Sequence, residues 1–538
     1  MAGRVIVVGF DGGTWSLLDL LASAGRMPNL ARLLKGSVHA PMRSVQPPVT
    51  APAWVTLATG VNPGRHGCFD FNKPDGGLSR LRPLQSWDIV EKTFYEVLEE
   101  RGRKCILVNL PVSCPPLTKN ATLTSLLTQG DDAVFPPELK AKHPALSGYR
   151  IFPDTRLRVQ GRLEEYLEDV RAVERARFDC VQALWDEPFD CFFVVFSGMD
   201  WVSHEAFPDL IEGRMERQPR ALGMFEDADR YLGWFCERLG PEDHLLLVSD
   251  HGFAKAKGIF YINEWLEEGG YLVPDYAKPA FPPTHRMEAA ALEAMQGRGR
   301  SLSPSVLSAV HTGGGARFLA KAYRRLGGTW PISLTVDARA SKASTLTAEC
   351  MGVTVHEYGV FPEGQVTRQA ARALRERLRS ELRNLKDPEG EGVFSCVDRR
   401  EDVYSGPETE KAADLLLGPG PWGVAAAIKA LKNIPFVFHP TGIHSPEGIF
   451  LGYGRGFGQG RLPAGAVALQ DVAPLIFYFL GEAIPQGLDG RLVSELMADG
   501  QLQIIHPRYS PVFRPTRARA DLDAEAIQER LKGLGYMG

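Results

Sequence analysis

No C-x-x-C pair occurs among the eight cysteines of this 538-residue chain. Their neighbours are apolar, as in KCILV and DCFFVV, so they read as reduced core residues and not as a disulfide framework. Uninterrupted apolar stretches are short. None approaches the roughly 20 residues that cross a bilayer, so no transmembrane helix is expected. Neither sign of charge dominates: a formal net charge of -4 offers no general attraction to nucleic acid or to an anionic membrane. An anionic substrate would therefore need a local positive site. Strand-like residues begin at Arg4, which leaves no room for a signal peptide before the first core element, and the expected compartment is the cytoplasm. Internal repeats are also missing.

What is present is globular. Hydrophobic residues at 44% and charged residues at 23% are ordinary for a folded core, and the length allows one large domain with insertions or two domains. Apolar runs alternate with helical patterns. Residues 4–10, 104–110 and 191–197 read as strands, and 16–35, 163–186 and 221–239 as helices, the last followed directly by HLLLVSD. A helix over 366–385, a strand near 447–453 and a helix around 470–481 continue the pattern. Such alternation predicts an α/β fold with a mostly parallel sheet and helices on both faces. Two stretches interrupt it, 69–160 and 273–345, both rich in turn formers and placed as insertions over the carboxyl edge of the sheet. The run HTGGGARFLAKAYRRLGG in the second lacks a preceding strand and a G-K-[ST], so Gly313–Gly315 read as a hinge, not a phosphate loop.

Several strand-like runs stop at a carboxylate. Asp11 follows VIVVGF, Asp200 lies in FSGMDWVSH, and Asp250-His251 follows LLLVS. Buried parallel strands deliver polar residues to the carboxyl edge of a sheet, where open α/β folds bind ligands. Each residue has a plainer reading: Asp11 before two glycines as a turn former, Thr50 before Pro52 as a helix cap, Asp200 and His204 as a solvated helix face. His444, in TGIHSPEGI, competes with His439. Taken together, three aspartates, three histidines and a hydroxyl are enough to hold two divalent cations.

The stretch TAPAWVTLATGVNPGRHG resembles the nucleophile segment of type I phosphodiesterases/nucleotide pyrophosphatases, a branch of the alkaline phosphatase superfamily. PPVTAPAW brings it nearest to a group of bacterial predicted phosphohydrolases, and DVAPLIFYFLGEAIPQGLDG and LKGLGYMG resemble that superfamily's closing helix and tail. The resemblance implies a single alkaline-phosphatase-like catalytic domain over 1–538, with 69–160 an insertion near the active site and 273–345 a second, cap-like one. It implies Thr50 as nucleophile, with Asp11, Thr50, Asp250 and His251 on one metal and Asp200, His204 and His444 on the other. Zinc suits imidazole plus carboxylate, with Mn or Fe as alternatives. The implied activity is a two-metal hydrolysis of small-molecule phosphate esters, diesters foremost, through a phosphothreonine. Phosphomonoesterase or phosphonate hydrolase chemistry on the same site, or a metal-stabilised binding protein without turnover, are the competing readings. One departure is Ala53, where nucleotide pyrophosphatases carry an asparagine. With it gone, His66 and arginines of the insertions stand as candidate substrate contacts.

Overall fold

The computed structural model describes residues 3–128, 133–279, 333–347, 351–429 and 435–498; the 311–328 run and the LKGLGYMG tail lie outside these. Five parallel strands form the centre, in the spatial order His244–Val248, Val5–Phe10, Cys191–Phe196, Cys105–Val108 and Ala121–Leu123. Glu447–Tyr453 runs antiparallel beside His244–Val248 and pairs in turn with Val38–Arg43, and Val134–Phe135 adds an antiparallel partner at the far edge. VIVVGF, CFFVVF and HLLLV are buried along their whole length, as strands covered on both faces must be. Alternate residues serve different cores. Ile6, Val8 and Phe10 pack with helices Leu163–Leu184, Gly198–Ile211 and Pro219–Cys236, whereas Val5 and Val7 face Thr50–Thr59, Phe94–Glu100 and Val472–Phe479.

The helix expected over 16–35 is two helices, Trp15–Ser23 and Pro28–Leu34. Gly25 turns the chain with φ +73, and Pro28, lacking an N–H, can start a helix but not continue one. Segment 69–160 contributes Cys105–Val108, Ala121–Leu123 and Val134–Phe135 to the central sheet itself. Of 273–345, the described part pairs Pro274–Pro279 with Ser333–Val336. Its end, Ala343–Ser344, joins Gly352–Val355, Leu415–Leu417 and Val397–Arg399 in a small sheet covered by helix Arg368–Arg383 and with its own apolar core. Among the described residues, no helix is long and apolar enough to cross a membrane, and the described cysteines are unbridged.

Candidate metal centre

Strand register brings the acids together. Gly9 lies level with Val195 on one side and Val248 on the other, so two residues later Asp11, Ser197 and Asp250 leave the sheet side by side. Helix Gly198–Ile211 starts at once after Ser197, so Asp200 and His204 fall on one helical face, Asp200 Oδ1 3.6 Å from His204 Nε2. His251 opens into strand Gly252–Tyr261, whose antiparallel partner Phe436–Ser445 sets His444 opposite Phe253. That partner strand touches the Asp200 helix at Gly442, where a Cβ would sit 2.1 Å from the Ser203 carbonyl oxygen; only glycine allows this approach.

Thr50 arrives from the other face of the sheet. Trp54, one turn along helix Thr50–Thr59, packs over Gly9, where an added Cβ would lie 2.6 Å from the indole. The contact sets the start of that helix against the end of the first strand. Val49, not Thr50, occupies the cap position, and the Thr50 hydroxyl instead lies 3.2 Å from His251 Nε2.

All three histidines are oriented the same way. Nδ1 of His204 is 3.2 Å from the Gly442 carbonyl oxygen, that of His251 is 3.2 Å from Gly252 O, and that of His444 is 3.0 Å from Pro48 O. A carbonyl only accepts, so each Nδ1 donates its proton, and in the neutral ring Nε2 turns a lone pair toward the centre. There His444 Nε2 lies 3.2 Å from Asp200 Oδ1 and 3.2 Å from His204 Nε2; His251 Nε2 lies 3.2 Å from Asp250 Oδ2 and 3.8 Å from Asp11 Oδ1. Two compact donor sets result, Asp11–Asp250–His251 and Asp200–His251–His444, each with its ligand atoms within 4.8 Å of one another. His251 belongs to both.

Burial dominates the electrostatics of the cluster. Asp11, Asp200 and Asp250 are fully buried. Burial, with the charges of Asp250 and Asp200, pushes the Asp11 carboxyl well above the usual range, and burial with the charge of Asp200 raises Asp250 to about 7. For Asp200 burial also acts upward, but the nearby His204, His444 and His251 outweigh it and hold the carboxyl low. Burial drives His204 down to about 4 and His251 further below its ordinary value, so both rings are neutral at pH 7. Three buried acidic side chains facing three imidazoles, with both Asp11 oxygens accepting no hydrogen bond of good geometry, form a donor set that could hold divalent cations.

The structure thus brings together Asp11, Thr50, Asp200, His204, Asp250, His251 and His444. His66 is differently employed. Cys68 N–H donates to its Nδ1 at 3.1 Å, so its Nε2–H donates to Thr56 at 2.9 Å; the buried ring staples helix Thr50–Thr59 to the loop that follows. Burial and Arg65 press its pKa down to about 3, so it stays neutral. Ala53 is buried in the apolar core and supplies no polar contact. Motif reading missed Ser44, whose hydroxyl holds the Asp250 carbonyl at 2.6 Å, and Arg158, paired at 2.6 Å with Glu205, the residue after His204. Neither has a local pattern: both act through partners distant in sequence.

The family model for type I phosphodiesterase/nucleotide pyrophosphatase matches residues 5–310, more than half of the chain, and includes every site residue except His444. The chain belongs to that family. Among solved structures, phosphonoacetate hydrolase from Sinorhizobium meliloti 1021, in complex with phosphonoformate, is similar at 16% identity, with a TM-score of 0.54 over 89% of this chain and 95% of that one. Human ectonucleotide pyrophosphatase/phosphodiesterase 5 is similar at 14% identity, with a TM-score of 0.50 over 92% of this chain and 99% of that one. At such identities the likeness speaks for the fold, which is alkaline-phosphatase-like. No curated protein sequence matches this phosphodiesterase-family chain.

Proposed function

We propose that the chain is a dinuclear, divalent-cation-dependent phosphohydrolase that cleaves small phosphodiesters with Thr50 as nucleophile. The observation that carries this reading is the clustering of three histidine Nε2 atoms, turned inward by carbonyls on Nδ1, with three buried carboxyl groups, beside which the Thr50 hydroxyl lies 3.2 Å from His251 Nε2. Asp11, Thr50, Asp250 and His251 would hold one cation and Asp200, His204 and His444 the other, supplying positive charge that makes Thr50 nucleophilic and neutralises phosphoryl and leaving oxygens. Zinc is the first candidate, with Mn or Fe the alternatives.

Thr50 Oγ1 gives up its proton and bonds to phosphorus as the opposite ester bond breaks and one alcohol leaves, taking up a proton. The threonine then carries the phosphoryl group with its remaining ester, and water cleaves that bond, releasing the phosphate monoester and restoring the hydroxyl. The start of helix Thr50–Thr59 offers first-turn N–H groups without intrahelical acceptors, suited to a phosphoryl oxygen. The carbonyls of Gly442, Gly252 and Pro48 keep the imidazoles aimed before substrate arrives, so little reorganisation is left to the reaction. Assay against phosphate monoesters, diesters and phosphonates, with elemental analysis, tests the reading. Close to two transition-metal ions per chain and diester turnover are expected; full activity in strong chelator would refute it.

Cation binding should be strongly pH-dependent. In the cation-free chain Asp250 titrates at about 7 and Asp11 well above the ordinary carboxyl range, so these groups hold protons near neutrality. A cation must displace them, and affinity therefore rises as pH rises through about 7. His204, already neutral above about 4, and His251, held well below its ordinary value, contribute little in that window. Calorimetric titration in buffers of different ionisation enthalpy should show net proton release at pH 6.5, and pH-independent affinity between 6 and 8 would contradict it.

Diesters should be preferred over monoesters. A monoester dianion carries more charge on its non-bridging oxygens and gains more from additional fixed donors, which Ala53 does not supply; Arg158 is already tied to Glu205. We expect a higher kcat/KM for bis(p-nitrophenyl) phosphate than for p-nitrophenyl phosphate at matched cation loading. The reverse order would point to monoester specialisation.

A further inference from the structure

Helix Gly198–Ile211 carries Asp200 in its first turn and His204 one turn on, yet no side chain at its own N-cap, Ser197, caps it. The cap comes from another helix. Glu174, on Leu163–Leu184, accepts a hydrogen bond from Gly198 N–H at 2.7 Å through its Oε1. The approach is close enough that a Cβ on residue 198 would meet Glu174 Cγ and Met224 Sδ at 2.7 Å each. Arg177, one turn along from Glu174, donates to the same carboxylate oxygen, and both side chains are fully buried. The guanidinium is fixed in turn by the Ile151 carbonyl at 3.3 Å and by the Trp201 ring, 5.9 Å away and adjacent to Asp200 in sequence. Ser197 is tied separately: Asn109 donates to its hydroxyl at 3.0 Å and to the Val195 carbonyl at 2.9 Å.

An isolated buried carboxylate at this place would be costly, and a buried ion pair by itself is weak evidence for stability. What sets this pair apart is where its hydrogen bond ends: on the first N–H of the helix that presents two of the proposed cation ligands. We propose that Glu174, held by Arg177, is a positioning residue for the Asp200–His204–His444 cation site. Its length sets the axial position of the Asp200 turn, and Arg177 pairs with the carboxylate so that the two together add no net charge beside Asp200. A methylene's retraction of the carboxylate would let the turn move, separating Asp200 from His444, now 3.2 Å from it. The inference rests on the proposed function, since it concerns cation ligands.

The test separates reach from charge. Glu174→Asp keeps the ion pair but shortens it; the double variant Glu174→Gln/Arg177→Met keeps the reach and an acceptor for Gly198 but removes both charges. Each is freed of metal and titrated with Zn2+ by calorimetry, with folding followed by circular dichroism and thermal melting. The expected result for Glu174→Asp is one of two binding events weakened by about 10- to 100-fold, as when an outer support of a metal ligand is lost. The other event should be unchanged, while the double variant should bind both ions as the parent does. Parental affinity at both sites in Glu174→Asp, with or without a lowered melting temperature, would overturn the positioning role and leave an ordinary buried ion pair. A parent chain that binds no Zn2+ would overturn the two-cation reading as well, and that result precedes any variant.

Discussion

Thr50→Ala should abolish turnover while leaving the fold and the other cation ligands in place. Removal of a nucleophile from a preassembled site costs on the order of 10^4-fold or more in kcat. The structural cost should be small, because the hydroxyl makes one described hydrogen bond, to His251, worth about 1 kcal/mol net, and caps no helix. Three carboxylates and three histidines remain to hold cations. Thr50→Ser keeps the hydroxyl and should retain part of the rate, and the wild type, but not Thr50→Ala, should yield a phosphorylated threonine on acid quench with labelled substrate. A wild-type rate for the alanine variant would remove Thr50 from the mechanism.

Asp250→Asn should have the next largest effect, in two opposite directions. The variant keeps an oxygen to accept from Gly12 N–H, 3.2 Å from Asp250 Oδ1, so the turn after the first strand should survive. It loses an anionic ligand of the proposed Thr50-side cation, and turnover should fall by more than the about 10- to 100-fold typical of losing a supporting residue. Stability without cations should move the other way. An aspartate titrates near 3.9 when unfolded and at about 7 here, so the folded state is penalised progressively as pH rises between those values and fully above them. Asparagine never ionises. The cation-free variant should therefore melt higher than the cation-free parent at pH 8 and lose that advantage near pH 4. His444→Ala provides the contrast: its rate defect should shrink for esters with good leaving groups, where less charge on the departing oxygen needs stabilising. Equal losses across leaving groups of widely different pKa would count against assigning the Asp200, His204 and His444 set to the leaving oxygen.

Much of this was written locally in the chain. VIVVGF, CFFVVF and HLLLV are uniformly apolar because strands covered on both faces cannot alternate, and each run ends where a carboxylate or a turn begins. The i, i+4 spacing of Asp200 and His204 and the adjacency of Asp250 and His251 needed only a helix and a strand end to become shared faces. The division of 16–35 was also encoded, in Gly25 and Pro28, but helical periodicity on both sides masked it. Other features have no local signature. Pro48 holds the His444 ring from 396 residues away, Gly442 does the same for His204 from 238, and His251 lies close enough to serve both donor sets. His66 matched the family pattern yet spends both ring nitrogens on Cys68 and Thr56. Glu174 and Arg177 read as one turn of an amphipathic helix until packing sets them against Gly198. Residue type and spacing determined which ligands exist and which strand or helix end carries them, because those depend on burial patterns a few residues long. Register, ring orientation and the capping of one helix by another were decided by tertiary structure, because each is a contact between segments whose separation along the chain holds no trace of their separation in space.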